Sequence, residues 1–373
     1  MHDVIVVGAG PGGSTAARHL ARSGLDVLLV DRARFPRDKP CGGIARPGIV
    51  QLVGERVHEA VEARIRRHRV FLDGRPVAEC RDSALLFRRT RLDALLVDIA
   101  REEGATIMEG AQVESVDLST SGVARVLLRD GTELAALCVV GADGAYSRVA
   151  RSLGLAGGPL RARRGDIAVR FESDVPRSIV EGLLGPPEEA RRGSYFQVGL
   201  LGMGWAFPKE GGLNVGMGVG GMGRTDLLPR ARRFLADLGL ERYAPLLRGE
   251  HIPCELLPRV TADRALLVGD AAGAANPMTG CGIEDAMKTG VLAARSLSRV
   301  LGRGLEPTAD RLASYEASLG TLRRIQHLRG LGLELVGRLQ RRGLVTEPWM
   351  ARSLRLMARF DVDSFVWTDP ARF

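Results

Sequence analysis

The sequence is poor in cysteine and contains no long apolar run. Its five cysteines are scattered without CxxC spacing, which argues against a zinc site, any other metal centre or a disulfide framework, and favours a reducing cytoplasm. No apolar stretch reaches about 18 uninterrupted residues, so the sequence predicts no membrane span and leaves only peripheral membrane contact. The first predicted strand begins at residue 3, so we expect no signal peptide.

Lysine is also scarce, because the basic excess is almost entirely arginine. The net charge is +9, and Lys39, Lys209 and Lys288 are the lysines among 53 basic residues. A basic surface can meet anionic lipid, nucleic acid or an acidic carrier protein. The sequence has neither a lysine-rich run nor a basic motif interleaved with aromatic residues, so we expect no nucleic-acid partner. These patterns leave the oligomeric state open.

The N-terminal stretch DVIVVGAGPGG predicts a strand, a glycine turn and a helix. Residues 4–7 form the short apolar run of a buried parallel strand, and GxGxxG spacing follows. Such glycines allow a tight turn, backbone approach to a pyrophosphate, and close helix–strand packing. A second strand over 27–30 delivers a carboxylate that can accept hydrogen bonds from ribose hydroxyls. The predicted dinucleotide-binding residues are Gly8, Gly10, Pro11, Gly12, Gly13, Asp31 and Arg32.

Beyond this unit, the pattern predicts a helix-like run over 49–66, a hairpin turning at Asp73 and Gly74, and a helix opening at Arg89. Further strands are predicted at 105–108, 111–117, 123–129, 139–140, 167–172, 194–200, 203–207, 213–219 and 265–268, and helices at 226–239, 283–301 and within 308–373. Between residues 160 and 260, apolar and polar residues alternate as in an antiparallel sheet. The strand predicted at 265–268 is instead a continuous apolar run, like the first strand of the chain.

Three strands end in glycine or acidic turns, at 8–13, 141–144 and 269–273. Ligands in open α/β sheets bind beyond the carboxyl ends of strands, so this repetition locates a cofactor. The late return of a strand–turn unit favours a long cofactor held from both ends, and a single GxGxxG argues against a second nucleotide domain. Helix or turn capping is the alternative role for Asp143 and Asp270.

These motifs together resemble those of flavoproteins similar to p-hydroxybenzoate hydroxylase. They are GAGPGG, Arg89 four residues before Asp93, GADGAYSRVAR at 141–151 and GDAAG at 269–273. The resemblance covers about residues 3–300 and implies FAD as the cofactor. It implies that Asp31 holds the adenosine ribose, that Arg89 lies near the pyrophosphate, and that the Val113 backbone meets adenine. It further implies that Asp270 binds the ribityl or pyrophosphate region, and that Gly280, Gly282 and Ile283 cover the flavin ring; Asp143 is included with them as a cofactor residue.

Within this superfamily the sequence resembles the geranylgeranyl reductases. The segments that carry the likeness are KPCGG at 39–43, WAFP at 205–208, NVGMG at 214–218 and MTGCGI at 278–283, with Cys281 replacing an acidic residue. The resemblance implies an FAD-dependent enzyme that reduces carbon–carbon double bonds of a prenyl substrate, with NAD(P)H or ferredoxin as electron donor. The alternatives are a flavin-dependent hydroxylase or halogenase of an aromatic or carrier-bound metabolite, and a non-catalytic flavin-binding module.

The same likeness places Cys41, Gly42 and Gly43 close to the flavin. Cys41 is the candidate catalytic residue, as a thiol that tunes the ring or donates a proton; its alternative is a small buried residue. Trp205 and Phe207 are candidates for a wall against an apolar substrate, or else core packing. Residues 321–342 form a basic amphipathic helix that either packs on the protein or lies on a membrane surface.

The predicted fold class is α/β. A Rossmann-type FAD-binding domain, similar to that of glutathione reductase, is interrupted by an antiparallel β-sheet substrate domain and followed by a helical C-terminal region. The predicted boundaries are 1–160 with 261–305 for the first, 161–260 for the second and 306–373 for the third, with 60–90 partly on the substrate side.

Overall fold

The computed structural model describes residues 1–72, 74–120, 122–155, 165–185, 193–199, 202–220, 227–243, 246–276, 280–344, 346, 348–349 and 352. The predicted turn residue Asp73, the start of the MTGCGI segment and the predicted helical tail beyond residue 352 lie outside these residues.

The strands, in chain order, are β1 His2–Val7, β2 Val27–Asp31, β3 Ile44–Ala45, β4 Val61–Leu72, β5 Arg75–Phe87, β6 Thr106–Glu109, β7 Val113–Asp117, β8 Ala124–Leu128, β9 Glu133–Gly141, β10 Gly165–Asp174, β11 Gly193–Gly199, β12 Gly202–Lys209, β13 Gly212–Gly220, β14 Arg248–Pro253, β15 Thr261–Ala262 and β16 Ala265–Leu267. The α-helices are α1 Pro11–Arg22, α2 Ile49–Val53, α3 Arg89–Glu102, α4 Arg148–Ser152, α5 Arg177–Leu184, α6 Leu227–Asp237, α7 Ile283–Leu301, α8 Ala309–Ser318 and α9 Gly320–Arg341. Short 3-10 helices cover Glu55–Ala60, Glu241–Tyr243 and Gly269–Ala271.

The first sheet has a parallel core in the order β16-β9-β1-β2-β6, extended by β15 on one edge and by β7 and β8 through β9. Residues 4–7 of β1 are buried because layers cover both of its faces, as a run of consecutive apolar residues requires. Helices α1 and α7 pack closely, since a Cβ added at Gly290 would lie 2.4 Å from the carbonyl oxygen of Gly12. This sheet therefore brings the glycine turn after β1 beside the end of β9, with β16 next in order.

The second sheet has the order β14-β10-β13-β12-β11-β4-β5-β3. Its neighbours pair antiparallel as predicted, except that β11 pairs parallel with β4. The long hairpin β4–β5 comes from the N-terminal part of the chain, so two distant segments of sequence build one sheet. Helices α5 and α6 contribute to the apolar cluster on this sheet, which includes Phe171, Val215 and Phe234.

The predicted helix-like run over 49–66 is wrong from residue 61 onward, because the 3-10 helix Glu55–Ala60 follows α2 and strand β4 then begins. Helix α2 ends at Val53, because Gly54 takes a φ of +95° that helices do not continue. Strand β4 begins at Val61, and its alternation of buried Ala63 and Ile65 with polar residues is the two-residue period of a strand. Helix α5 and strand β14 are elements that the sequence pattern did not reveal.

Candidate functional site

The glycine turn (residues 8–13) has the shape that its spacing predicts. Gly8 has a φ of +102°, and a Cβ there would lie 2.4 Å from the carbonyl oxygen of Ala142, at the end of β9. A Cβ at Gly13 would lie 1.8 Å from the Gly8 oxygen. Gly10 differs, because the nearest atom to its added Cβ is Arg37 Nη2 at 3.7 Å. The turn is thus closed by protein on the Gly8 and Gly13 sides and open at Gly10.

Helix α1 begins immediately after this opening. Pro11 occupies its first turn, no side chain caps it, and its first turn carries no acidic residue. Its free backbone N–H groups and the positive end of its dipole therefore favour an anion at Gly10.

Asp31 fastens the glycine turn to the end of β2. Its carboxylate accepts hydrogen bonds from the backbone N–H of Ala9 at 2.7 Å and of Ala33 at 2.8 Å. An ionised carboxylate can accept about four hydrogen bonds, so ribose hydroxyls could still bind. The Ala111 N–H donates to the Asp31 carbonyl at 2.9 Å, which brings the chain leading to Val113 beside this carboxylate. Arg32, by contrast, is exposed.

Asp143 uses its carboxylate to cap α4. It accepts hydrogen bonds from Ser147 Oγ at 2.6 Å and from the backbone N–H groups of Arg148 and Val149 at 2.6 and 3.2 Å. Burial raises the pKa of Asp143, and these hydrogen bonds oppose the rise. The capping alternative thus accounts for both carboxylate oxygens.

Asp270 lies on the 3-10 turn after β16, where it meets two distant segments. Lys39 Nζ donates to its Oδ2 at 3.0 Å, and a Cβ at Gly282 would lie 3.4 Å from its Oδ1. Gly280 has a φ of +65°, and Ile283, the first residue of α7, packs in the same apolar cluster as Cys41. The structure therefore gathers these predicted cofactor residues at the N-terminus of α7.

Arg89 forms a buried ion pair with the wholly buried Asp93. Its Nε and Nη2 each donate to an Asp93 oxygen at 2.7 Å, and the nearby Cys41 side chain also helps to raise the pKa of the guanidinium. Burial lowers the pKa of Arg89, but the Asp93 carboxylate outweighs that effect, so the pKa lies above its ordinary value and the guanidinium is charged. The structure thus sets a fixed cation beside the candidate thiol.

Arg37 is a functional candidate that the sequence reasoning missed. Its Nη2 lies 3.0 Å from Asp93 Oδ2 and faces the open side of Gly10, while its buried Nη1 has no hydrogen-bond partner among the described residues. The signal was a basic residue in the loop between β2 and KPCGG, and that loop contains several arginines. Only the three-dimensional structure shows that Arg37 lies beside Gly10.

Residues 37–43, which we call the cysteine loop, are tied to both sheets. Asp38 accepts hydrogen bonds from Arg170 at 2.5 Å and Arg248 at 3.0 Å, both on the second sheet. Lys39 reaches Asp270 on the first sheet, as described above. The Phe87 N–H donates to the Gly43 carbonyl at 2.7 Å. The loop is therefore held by charge at one end and by backbone pairing at the other.

Trp205 and Phe207 form an aromatic wall under the cysteine loop. Their ring centroids lie 6.2 Å apart, and both belong to an apolar cluster with Ile65, Ala84 and Leu86. A Cβ at Gly42 would lie 3.1 Å from the Phe207 ring and 3.3 Å from Trp205 Nε1. The structure thus brings the wall and the Cys41 segment into contact, although the two are far apart in sequence.

A buried lysine at the end of β12 was not among the predicted site residues. Lys209 Nζ donates to the Phe87 carbonyl and lies 2.9 Å from the position of a Cβ at Gly43. Burial lowers the pKa of Lys209 to about 8, against the opposing influence of Glu172 and Glu62. A buried lysine with a lowered pKa therefore lies behind the cysteine loop.

The described residues contain no group of three His, Cys, Asp or Glu side chains that could hold a metal ion. Within the same part of the chain, no helix is both long and apolar enough to span a membrane. Cys281, which replaces an acidic residue of the family pattern, is exposed.

These residues fit an FAD molecule. The opening at Gly10 would be filled by a side chain. Arg37 lies beside it, and its Nη1, which has no hydrogen-bond partner in the described part of the chain, suits a pyrophosphate. Asp31 would hold the ribose at one end, and Asp270 with the N-terminus of α7 would meet the other end.

Comparison with known proteins agrees with this geometry. A family model described as an FAD binding domain matches residues 1–190. The menaquinone reductase of Mycolicibacterium smegmatis is 32% identical over 95% of this chain and 89% of its own. The digeranylgeranylglycerophospholipid reductase 2 of Methanopyrus kandleri is 32% identical over 87% of this chain and 81% of its own.

The solved structure of a geranylgeranyl bacteriochlorophyll reductase-like protein from Thermoplasma acidophilum covers 100% of this chain and 95% of its own, with a TM-score of 0.82 and 22% identity. This likeness confirms the predicted fold, and the family matches confirm the predicted resemblance. The chain belongs to the FAD-binding-domain family and is an FAD-dependent oxidoreductase of the geranylgeranyl reductase and menaquinone reductase type.

Proposed function

We propose that this enzyme reduces carbon–carbon double bonds in a prenyl chain, and that the contact between the cysteine loop and the aromatic wall is where it does so. This contact carries the proposal, because Gly42, next to the Cys41 thiol, packs against the rings of Trp205 and Phe207, and the charged Arg89 lies near Cys41. Two relatives of 32% identity, whose names specify a menaquinone and a digeranylgeranyl lipid as what they reduce, support the same class.

The cofactor would be held along its length by residues of the first sheet and of the cysteine loop. Gly10, the N-terminus of α1 and Arg37 would receive the pyrophosphate, since they offer space, N–H donors and positive charge. Asp31 would bind the adenosine ribose, and Asp270 with Lys39 the ribityl region. The chemistry that FAD would supply there, when bound and reduced, is hydride donation from N5 to one alkene carbon.

The aromatic wall would orient the alkene and exclude water. Trp205 is 9% exposed and Phe207 2% exposed, and the indole N–H of Trp205 is occupied by Asn214 Oδ1 at 2.9 Å. The wall is therefore apolar and its indole donor is already paired, which suits an isolated double bond in a hydrocarbon chain.

The Cys41 thiol would deliver the proton to the second alkene carbon. The S–H bond breaks, a C–H bond forms, and the sulfur is left as a thiolate, which takes a proton from solvent before the next cycle. The Arg89 guanidinium beside the sulfur would stabilise that thiolate. Asp93 holds the guanidinium in place, so the cation would not need to move during turnover.

The test is anaerobic reduction of a prenyl lipid by the FAD-loaded enzyme, with mass spectrometry of the product. We expect two hydrogens to be gained for each reduced double bond and no reaction with the fully saturated lipid. NADPH and reduced ferredoxin are compared as donors in the same assay.

Cys41→Ala would serve as the matched variant, because it removes the thiol and keeps the side chain at this position small. Product formation that requires oxygen would favour the monooxygenase alternative. Reduced flavin that transfers no hydrogen to any prenyl lipid, with or without a bilayer of anionic lipid, would refute the proposal.

A further inference from the structure

Asn214 is a wholly buried amide on β13 that lies between the cysteine loop and the aromatic wall. Its Oδ1 accepts the Trp205 indole N–H at 2.9 Å. Its Nδ2 donates to the Cys41 carbonyl at 2.9 Å and to Glu172 Oε2 at 2.7 Å. One side chain therefore joins the wall, the thiol-bearing residue and a carboxylate on β10.

The partners of Asn214 fix which way its amide faces. An indole N–H can only donate, so the amide oxygen must face Trp205. A backbone carbonyl and a carboxylate can only accept, so the amide nitrogen must face Cys41 and Glu172. No flipped orientation satisfies these three groups, and the geometry is accordingly set by their chemistry.

Glu172 is itself held in place, since Arg88 Nε lies 2.9 Å from its Oε1. The Nδ2 group thus has one acceptor that is anchored to the second sheet and one acceptor on the cysteine loop. The other described bonds of Cys41 and Gly43 run within the loop or to β5, as with Gly43 N–H to Cys41 Sγ at 3.3 Å. Asn214 is the described side chain that connects the Cys41 backbone to the wall.

We propose that Asn214 is a positioning residue that sets the placement of Cys41 relative to Trp205 and Phe207. Its catalytic consequence rests on the proposed function, whereas its structural consequence does not. Without this amide, the Cys41 carbonyl and Glu172 lose their donor and the indole N–H loses its acceptor. A loop whose buried polar groups lack partners opens more often, so the Cys41 sulfur becomes more accessible.

The experiment measures alkylation of Cys41 by iodoacetamide in FAD-loaded protein, by peptide mass spectrometry. The exposed Cys281 of the same molecule serves as the internal reference. For Asn214→Leu, which keeps the volume and removes the hydrogen bonds, we expect the ratio of Cys41 to Cys281 labelling to rise about tenfold. For Asn214→Asp, which keeps the acceptor for Trp205 and removes both donors, we expect a rise in the same direction.

Gln326→Leu is the matched control. Gln326 on α9 is also a buried amide with three hydrogen bonds, to the Leu256 N–H and to the Gly273 and Ala275 carbonyls. Its loss should lower stability comparably and leave the labelling ratio unchanged. An unchanged ratio in folded Asn214→Leu, or an equal rise in Gln326→Leu, would overturn the inference; if Asn214→Leu does not fold, Asn214→Asp decides in the same way.

A steady-state measurement separates this inference from the function on which it rests. If the wild-type enzyme reduces a prenyl chain, Asn214→Leu should lower kcat about tenfold and change KM little, because substrate contacts with the wall remain. If the wild type reduces no prenyl chain, the proposed function fails, and the labelling ratio still decides the placement of Cys41.

Discussion

Replacing Gly10 by valine should weaken FAD binding without disturbing the fold. Gly10 has a φ of −74° and a ψ of −179°, which any residue adopts, so valine brings no backbone strain. The nearest atom to an added Cβ is 3.7 Å away, at the end of the flexible Arg37 side chain, so the apoprotein has room for it. The added methyl groups would then occupy the space that a pyrophosphate needs.

The expected magnitude follows from the cost of overpacking. Forcing extra methyl groups into a packed contact costs about 1–3 kcal/mol, which corresponds to roughly 5- to 150-fold in the dissociation constant of FAD. The unfolding free energy of the apoprotein should change by no more than about 0.5 kcal/mol. Flavin fluorescence titration gives the first quantity, and urea denaturation of the apoprotein gives the second.

Gly13→Ala provides the contrasting control. A Cβ at Gly13 would lie 1.8 Å from the Gly8 carbonyl oxygen, so this smaller change should destabilise the apoprotein itself. Folded Gly10→Val protein that binds FAD with wild-type affinity would refute the assignment of the glycine turn as the pyrophosphate site.

Three further predictions test the charged groups around this site. Arg37→Ala should weaken FAD binding about tenfold and reduce its salt dependence in the same titration, because the proposed phosphate contact would be lost; unchanged affinity would refute a role for Arg37 in holding the pyrophosphate. Asp93→Ala should lower the free energy of unfolding by about 3–5 kcal/mol in urea, since it leaves the Arg89 guanidinium buried without its carboxylate; a loss below about 1 kcal/mol would contradict the buried pair. Burial lowers the pKa of Lys209 from 10.5 in the unfolded chain to about 8, so the folded state binds fewer protons between these values and stability should rise with pH across that window. The Lys209→Met variant should lack this rise. In denaturation curves of both proteins, the free energy of unfolding of the wild type should increase relative to that of Lys209→Met between pH 7.5 and pH 10, by roughly 3 kcal/mol at most. The same pH dependence in both proteins would count against a buried charge at Lys209.

The two carboxylates Asp143 and Asp31 show that a sequence motif alone does not fix the role of a residue. The turn after β9 was predicted to point the Asp143 carboxylate at the cofactor, and the same sequence motif also allowed Asp143 to cap a helix or turn. The structure directs both of its oxygens to Ser147 and the N-terminus of α4. Asp31 also bonds to backbone, at Ala9 and Ala33, but it lies at the glycine turn itself. The partners of Asp143 lie within six residues of it, whereas Asp31 meets Ala9 of the glycine turn, 22 residues away.

The sequence by itself determined the unit formed by β1, the glycine turn, α1 and β2, and also the extent of α7. These elements depend on short-range features, namely apolar periodicity and glycines at fixed spacing, which act within a few residues. The same applies to the alternating strands β12 and β13. The family likeness rests on these motifs as well.

Tertiary structure alone decided what surrounds Cys41. The amide of Asn214 reaches the Cys41 carbonyl across 173 residues of sequence, and Lys39 reaches Asp270 across 231. The parallel pairing of β11 with β4 and the approach of Arg37 to Gly10 are likewise contacts between separate elements. Hydrogen bonds and ion pairs of this kind depend on where whole sheets and loops come to lie, and no spacing along the chain encodes that position.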